Sequence, residues 1–178
     1  MKKTFPSLPY RSLVLAAVLG LALAGCDQSR APKPLAPAEI DAHTTCELDG
    51  MLLADYPGPK AQIRYTGQDT PVFFCDTVEM FHTLLLPEQV KAIQAVYVQD
   101  MGQADWDQPR GHWMDAKIGI YVLGSKRHGS MGPTIAAFAQ EADAQAFAKQ
   151  WGGKVLRYAE VTPAMVDLSG GALHDSRM

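Results

Sequence analysis

The sequence predicts an α+β fold: two small ββαβ repeats packed together, behind an N-terminal leader and a proline-rich segment. Three observations predict it. Strand-like and helix-like runs alternate from about residue 60 to 160. The order strand–strand–helix–strand occurs twice, offset by roughly 60 residues. Neither half has enough apolar residues to bury a core alone, so the two must share one.

The first repeat spans about 60–100. Ala61–Thr66 and Thr70–Cys75 are β-rich runs joined by Gly67-Gln68-Asp69, a hairpin signal. Asp76 can cap a helix, with Glu79 three residues on as its capping-box partner. That helix runs to Leu86 and stops before Pro87. Ala95–Gln99 follows as a strand. The second repeat spans about 117–160. Lys117–Gly124 and Pro133–Ala139 read as strands. Glu141–Trp151 reads as a helix with Ala142, Ala146, Phe147 and Trp151 on its apolar face, ended by Gly152-Gly153. Lys154–Tyr158 is the last strand. The α+β domain thus covers 41–161, and the Gly-rich, polar residues 162–178 read as a flexible C-terminal tail.

Residues 1–25 read as a leader rather than as part of the fold. Lys2, Lys3 and Arg11 make a cationic start without acids, and Ser12–Gly25 is an uncharged, mostly apolar run of 14 residues. A membrane span needs about 20, so this is a signal-peptide core. It ends in Leu23-Ala24-Gly25-Cys26, a sequence similar to the bacterial lipobox. Cys26 would then be lipidated and become the mature N-terminus. Asp27 follows, a residue that in some bacteria favours retention at the inner membrane. The expected location is the periplasmic side of a bacterial membrane, inner or outer. Residues 26–40 form the tether: Gln28–Ala38 holds three of the twelve prolines. Its reach is roughly 30 Å.

Composition excludes several classes. The 178 residues carry 16 basic and 19 acidic side chains, so no basic excess suggests nucleic acid. At 47% apolar the chain is not disordered, and three Cys are too few for a disulfide-built scaffold. Losing the leader leaves 153 residues with 13 basic and 19 acidic groups, a formal charge of −6. No nucleophile elbow, zincin helix, phosphate loop, dinucleotide fingerprint or Cys-x-x-Cys is present, which argues against an enzyme.

The remaining chemistry is that of soft metal ligands. Thiolates and thioethers select Cu(I). Cys46 lies in Thr44-Thr45-Cys46-Glu47-Leu48-Asp49-Gly50-Met51, so Cys46 and Met51 can turn toward one ion. Met131 sits in His128-Gly129-Ser130-Met131-Gly132-Pro133, where glycine and proline mark a loop; His128 could add an imidazole. Met80 and Met114 read as core filler. Cys75 closes a strand behind Phe73-Phe74 and reads as a buried structural thiol. His43, His82 and His174 read as exposed, and His112 as packing beside Trp113. A Cys46–Cys75 disulfide remains open, as does a two-thiol enzyme using Asp49 or Asp76.

Gly50-Met51, then Asp55-Tyr56-Pro57-Gly58-Pro59-Lys60-Ala61-Gln62-Ile63, resemble the NosL family, as do Val96-Tyr97-Val98-Gln99-Asp100 before Trp106. Tyr121-Val122-Leu123-Gly124-Ser125, Met131-Gly132-Pro133 and Gly152-Gly153 extend the likeness over Cys46–Tyr158. The resemblance implies a lipoprotein accessory factor of nitrous oxide reductase, not an enzyme. It implies a Cu(I) carrier for that enzyme's copper–sulfide centre, working with a membrane ABC-type complex and its periplasmic partner. It implies two ββαβ units, distantly like part of organomercurial lyase. By motif, Cys46 and Met131 match the family's proposed sulfur ligands, Met51 is a third and His128 a fourth. Some relatives carry a second Cys where this chain has Asp49, so the resemblance points to a mixed thiolate–thioether set. The rival function is a metal-free structural lipoprotein of the associated transporter.

Overall fold

The computed structural model describes residues 35–168. The leader, Cys26, residues 27–34 and the last ten residues, 169–178, lie outside the described residues.

Two ββαβ units appear in the expected order. The first is β1 (Ala61–Tyr65), β2 (Val72–Phe74), α1 (Thr77–Leu85) and β3 (Ile93–Gln99). A short β4 (Trp113–Asp115) extends its sheet. The second is β5 (Ile120–Gly129), β6 (Gly132–Phe138), α2 (Glu141–Trp151) and β7 (Lys154–Arg157). Both sheets are antiparallel, ordered β2-β1-β3-β4 and β6-β5-β7. The opening strand of each repeat is therefore central. Ala61 faces Phe74 and Val98; Ile120 faces Phe138 and Arg157. No described helix is long and apolar enough to cross a membrane.

Strand alternation builds the layers. From the second sheet, Tyr121, Ile135, Ala137 and Leu156 join Ile63, Val98, Met80 and Phe81 in one core with the first sheet and α1. Their neighbours Ile120, Val122, Ala136 and Phe138 pack under α2 with Trp106, Ala144 and Phe147. The second sheet is thus covered on both faces.

Several elements differ from the sequence reading for local reasons. β4 has three residues, too few to show an alternation. β5 continues past Gly124 through an irregularity in its pairing with β6, between Leu123 and His128. On α2 the buried residues are Ala144 and Phe147, while Ala142 and Ala146 face solvent. Phe147 is the anchor, and its partner one turn back is residue 144. Asp76 caps α1 by accepting from Val78 N–H at 2.9 Å, but Glu79 does not complete a capping box; it turns to the thiols described below.

Both ends of the described chain are packed. Gln62 exchanges hydrogen bonds with the Ala38 backbone at 2.8 and 2.9 Å, Tyr97 Oη donates to Leu35 O, and Ile40 is buried. At the other end Pro163–Met165 forms a 3-10 turn and Val166 enters the core. His82, expected exposed, is half-buried with Nδ1 2.9 Å from Val166 O. The described residues after 161 therefore fold against the domain.

The repeats are joined at the start of α1. Ser130 Oγ donates to Cys75 O at 2.7 Å, Thr134 Oγ1 to Asp76 Oδ1 at 2.5 Å, and Thr77 Oγ1 to Ile135 O. Burial pushes the Asp76 carboxyl up to about 7, against the opposing pull of Thr134 and the Val78 amide. Its Oδ2 has no hydrogen-bond partner.

Two outcomes follow for stability. Phe81 is 1% exposed and stacks edge-on to Tyr121 at 4.9 Å. Phe81→Ala should cost about 3–5 kcal/mol in urea unfolding. Between about pH 4 and 7 the unfolded chain releases the Asp76 proton while the folded chain keeps it. Stability should therefore fall as pH rises across this window, by about 3–4 kcal/mol from this group. Asp76→Asn keeps a capping side chain and should flatten that limb in unfolding curves at pH 4.5 and 7.5, values set about the window by linkage.

Candidate metal centre

The first thiol is presented by a tight turn. Cys46 N–H donates to Met51 O at 2.9 Å, Gly50 N–H to Cys46 O at 3.0 Å and Leu53 N–H to Thr44 O at 3.0 Å. Asp49 Oδ1 accepts from Met51 N–H at 2.9 Å. Gly50 has φ +75°, a region open to glycine and strained for most side chains. Glu47 N–H donates to Phe73 O at 2.9 Å and fastens the turn to β2. The second thiol follows directly from β2, since Cys75 lies between Phe74 and the cap Asp76. Glu79 stands four residues on, one turn into α1.

These pieces converge. Cys46 Sγ is 3.2 Å from Glu79 Oε2, and Cys75 Sγ is 3.3 Å from the same oxygen and 3.5 Å from Oε1. Ligand atoms of Cys46, Asp49, Cys75 and Glu79 all lie within 4.8 Å of one another. Cys46, Cys75 and Glu79 are buried; Asp49 is exposed, so the cluster reaches solvent on its side. Ile40, Leu53, Phe73 and Trp113 form an apolar wall around the sulfurs. Both cysteines are free.

The two thiols are not equivalent. A hydrogen bond with Cys75 holds Cys46 below the ordinary thiol value, against the effect of burial. The same hydrogen bond and burial push Cys75 up. Cys46 is therefore the sulfur that ionises first. Behind them Lys60 is fully buried, its Nζ donating to Pro57 O at 2.8 Å and Cys75 O at 3.0 Å. Burial lowers it to about 8, while Asp76, Cys75, Glu79 and Cys46 act in the other direction. A cation thus sits at the back of an acidic, sulfur-rich cluster. The Tyr56–Lys60 motif is pressed against the β5–β6 hairpin: a Cβ on Gly58 would lie 2.6 Å from Gly129 Cα.

The candidates from the sequence fall in three places. Cys46 is in the cluster. Met51 is half-buried in the same turn, bonded to Cys46 through its carbonyl. Met131 and Ser130 form the two-residue tip of the β5–β6 hairpin; Met131 is 57% exposed, and Ser130 is the residue bonded to Cys75 O. His128 is exposed on the same hairpin, its carbonyl accepting from Trp106 Nε1, and the four-residue cluster contains no histidine.

Sequence reasoning missed Cys75 and Glu79. Cys75 is buried as expected, but it shares a carboxylate oxygen with Cys46 rather than serving only the core. The available signal was the spacing: a thiol just before a helix cap and a carboxylate four residues later lie on one face. The two thiols and Asp49 lie together, so the geometry leaves both the disulfide and the two-thiol alternative open.

The two thiols suit a soft cation, while Glu79 and Asp49 are hard oxygen donors beside them. A family model for NosL matches residues 37–166. The chain is 36% identical over 169 residues to the copper-binding lipoprotein NosL of Stutzerimonas stutzeri, covering 91% of this chain and 87% of that protein. It is 39% identical over 160 residues to the copper-binding lipoprotein NosL of Achromobacter cycloclastes, covering 88% and 82%. The crystal structure of the copper chaperone NosL from Shewanella denitrificans superposes with TM-score 0.70 at 40% identity, over 75% of this chain and 99% of that one. With a family match across nearly the whole described domain and relatives of this identity and coverage, the chain belongs to the NosL family.

Proposed function

We propose that this protein is a membrane-anchored periplasmic Cu(I) metallochaperone that delivers copper for assembly of the copper–sulfide centre of nitrous oxide reductase. The observation that carries the reading is the convergence of Cys46 and Cys75 on Glu79 inside an apolar wall. The names of its relatives, copper-binding lipoprotein and copper chaperone, support it. Lipid on Cys26 is the proposed anchor, and an ABC-type maturation complex with its periplasmic partner is the proposed recipient or donor.

In this reading Cys46 provides the first thiolate, whose charge neutralises Cu(I) and limits the cost of burying it. Cys75 provides a second sulfur, and Lys60 offsets the added negative charge. Glu79, in contact with both sulfurs, relays to solvent the protons that loading releases, one at a time. Met131, exposed at the hairpin tip next to Ser130, and Met51 supply neutral thioethers that bind without losing a proton. The exposed side at Asp49 lets a partner's sulfur or imidazole approach, so copper can pass by ligand exchange.

Anaerobic Cu(I) titration against a competing chelator tests this. Cys46→Ser should lower affinity by at least about tenfold, or 1.4 kcal/mol, and Met131→Ala by less. Cys75→Ser should weaken binding comparably to Cys46→Ser. Unchanged affinity in Cys75→Ser would restrict the set to Cys46, Met131 and Met51. If the fully reduced protein takes up no Cu(I), the chain is a metal-free assembly lipoprotein of the transporter instead.

A further inference from the structure

Two buried thiols that share one carboxylate oxygen, each free, can react with each other as well as with a metal. We propose that Cys46 and Cys75 form a reversible intramolecular disulfide that closes the metal site when a peroxide oxidises it. The consequence for copper rests on the function proposed above; the bond itself does not.

The geometry supports bond formation. The sulfurs lie within 4.8 Å of each other. An S–S bond is about 2.05 Å, so the remaining approach is less than about 3 Å. Both backbones are held, so the approach falls to the two side chains. Cys75 O is held by both Ser130 Oγ and Lys60 Nζ, and the residue lies between β2 and the cap of α1. Cys46 belongs to a surface turn whose tip, Glu47–Gly50, is exposed. The turn is fastened by backbone bonds to β2 and to its own second half. With the sulfurs already this close, rotation about the two side-chain bonds supplies the approach.

The chemistry balances with hydrogen peroxide as oxidant. Cys46 sulfur attacks one peroxide oxygen, the O–O bond breaks, and a sulfenic acid and one water result. Cys75 sulfur then attacks Cys46 sulfur, forming S–S and breaking the S–O bond. Glu79, in contact with Cys75 Sγ, takes the thiol proton and passes it to the departing hydroxide as a second water. Two thiols are oxidised by two electrons and one peroxide is reduced to two waters. The product holds no thiolate, so it loses the ligands that select a soft cation.

The full chain carrying Cys26→Ser leaves only these two thiols for the test. The reduced, metal-free protein is treated with stoichiometric hydrogen peroxide, then examined by intact mass and peptide mapping. The expected result is loss of two hydrogen masses, a Cys46–Cys75 linked peptide, and recovery of both thiols with dithiothreitol. Cu(I) affinity should fall by at least about a hundredfold on oxidation and return on reduction. In the added variant Cys75→Ser, Cys46 should accumulate oxygen adducts instead. Oxygen adducts on Cys46 without a cross-link in the protein that retains Cys75, or cross-links only between chains, would overturn the proposal. So would a cross-linked protein that binds Cu(I) as tightly as the reduced one. If the cross-link forms but the reduced protein binds no Cu(I), the disulfide stands and the copper function fails.

Discussion

Three consecutive residues, Cys75, Asp76 and Thr77, are bonded through backbone or side chain to the second repeat, at Ser130, Thr134 and Ile135. The rest of the site depends on this stitch. Each hydrogen bond contributes only about 1 kcal/mol net, but leaving a buried partner unsatisfied costs more. The stitch sets where α1 begins, and therefore where Glu79 points. It also brings the tip of the β5–β6 hairpin, with Met131, beside the second thiol. Neither repeat contains the site alone: the turn ahead of the first repeat supplies Cys46, the first repeat supplies Cys75 and Glu79, and the second holds the segment in place.

Charge accounts for much of the remaining sequence. Asp76 is the cap of α1 and the acceptor for Thr134, and it remains buried with one oxygen unpartnered. Lys60 directs its ammonium to two carbonyls instead of a direct ion pair. A buried charge needs partners of this kind to persist. The Tyr56-Pro57-Gly58-Pro59-Lys60 motif thus has a physical reading. Glycine permits the close approach to Gly129, Pro57 offers a carbonyl, and Lys60 crosses to the carbonyl of Cys75.

The fold was legible because it rests on local signals. Val72–Phe74 and Ile120–Leu123 are apolar enough to read as strands, and Asp76 and Gly152 mark helix ends. What escaped was set by distant packing. Trp113–Asp115 becomes a strand only because β3 offers an edge to pair with. Val166 is buried only because α1 and the core receive it. The site divides in the same way. Cys46 was legible as a cluster member from its turn, whereas Met131 was read from its flanking glycine and proline and stands at the exposed hairpin tip. Cys75 resembled any thiol at a strand end, and Glu79 resembled half of a capping box. Their shared role depends on the Cys46 turn folding back from residues 44–53, a contact that sequence spacing does not reveal.

The span of these contacts along the chain bears on the order in which the molecule folds. Each ββαβ repeat closes over about 40 residues, with a hairpin pairing its first two strands. The bonds that make the site span longer stretches: 33 residues from Cys46 to Glu79, 55 from Cys75 to Ser130 and 58 from Asp76 to Thr134. Loop closure over longer segments costs more entropy and is repaid only after local structure exists. The two hairpins are therefore expected to form first and the thiol cluster last. Until the second repeat docks, both sulfurs belong to an incompletely folded chain, without the wall and the carboxylate that later enclose them.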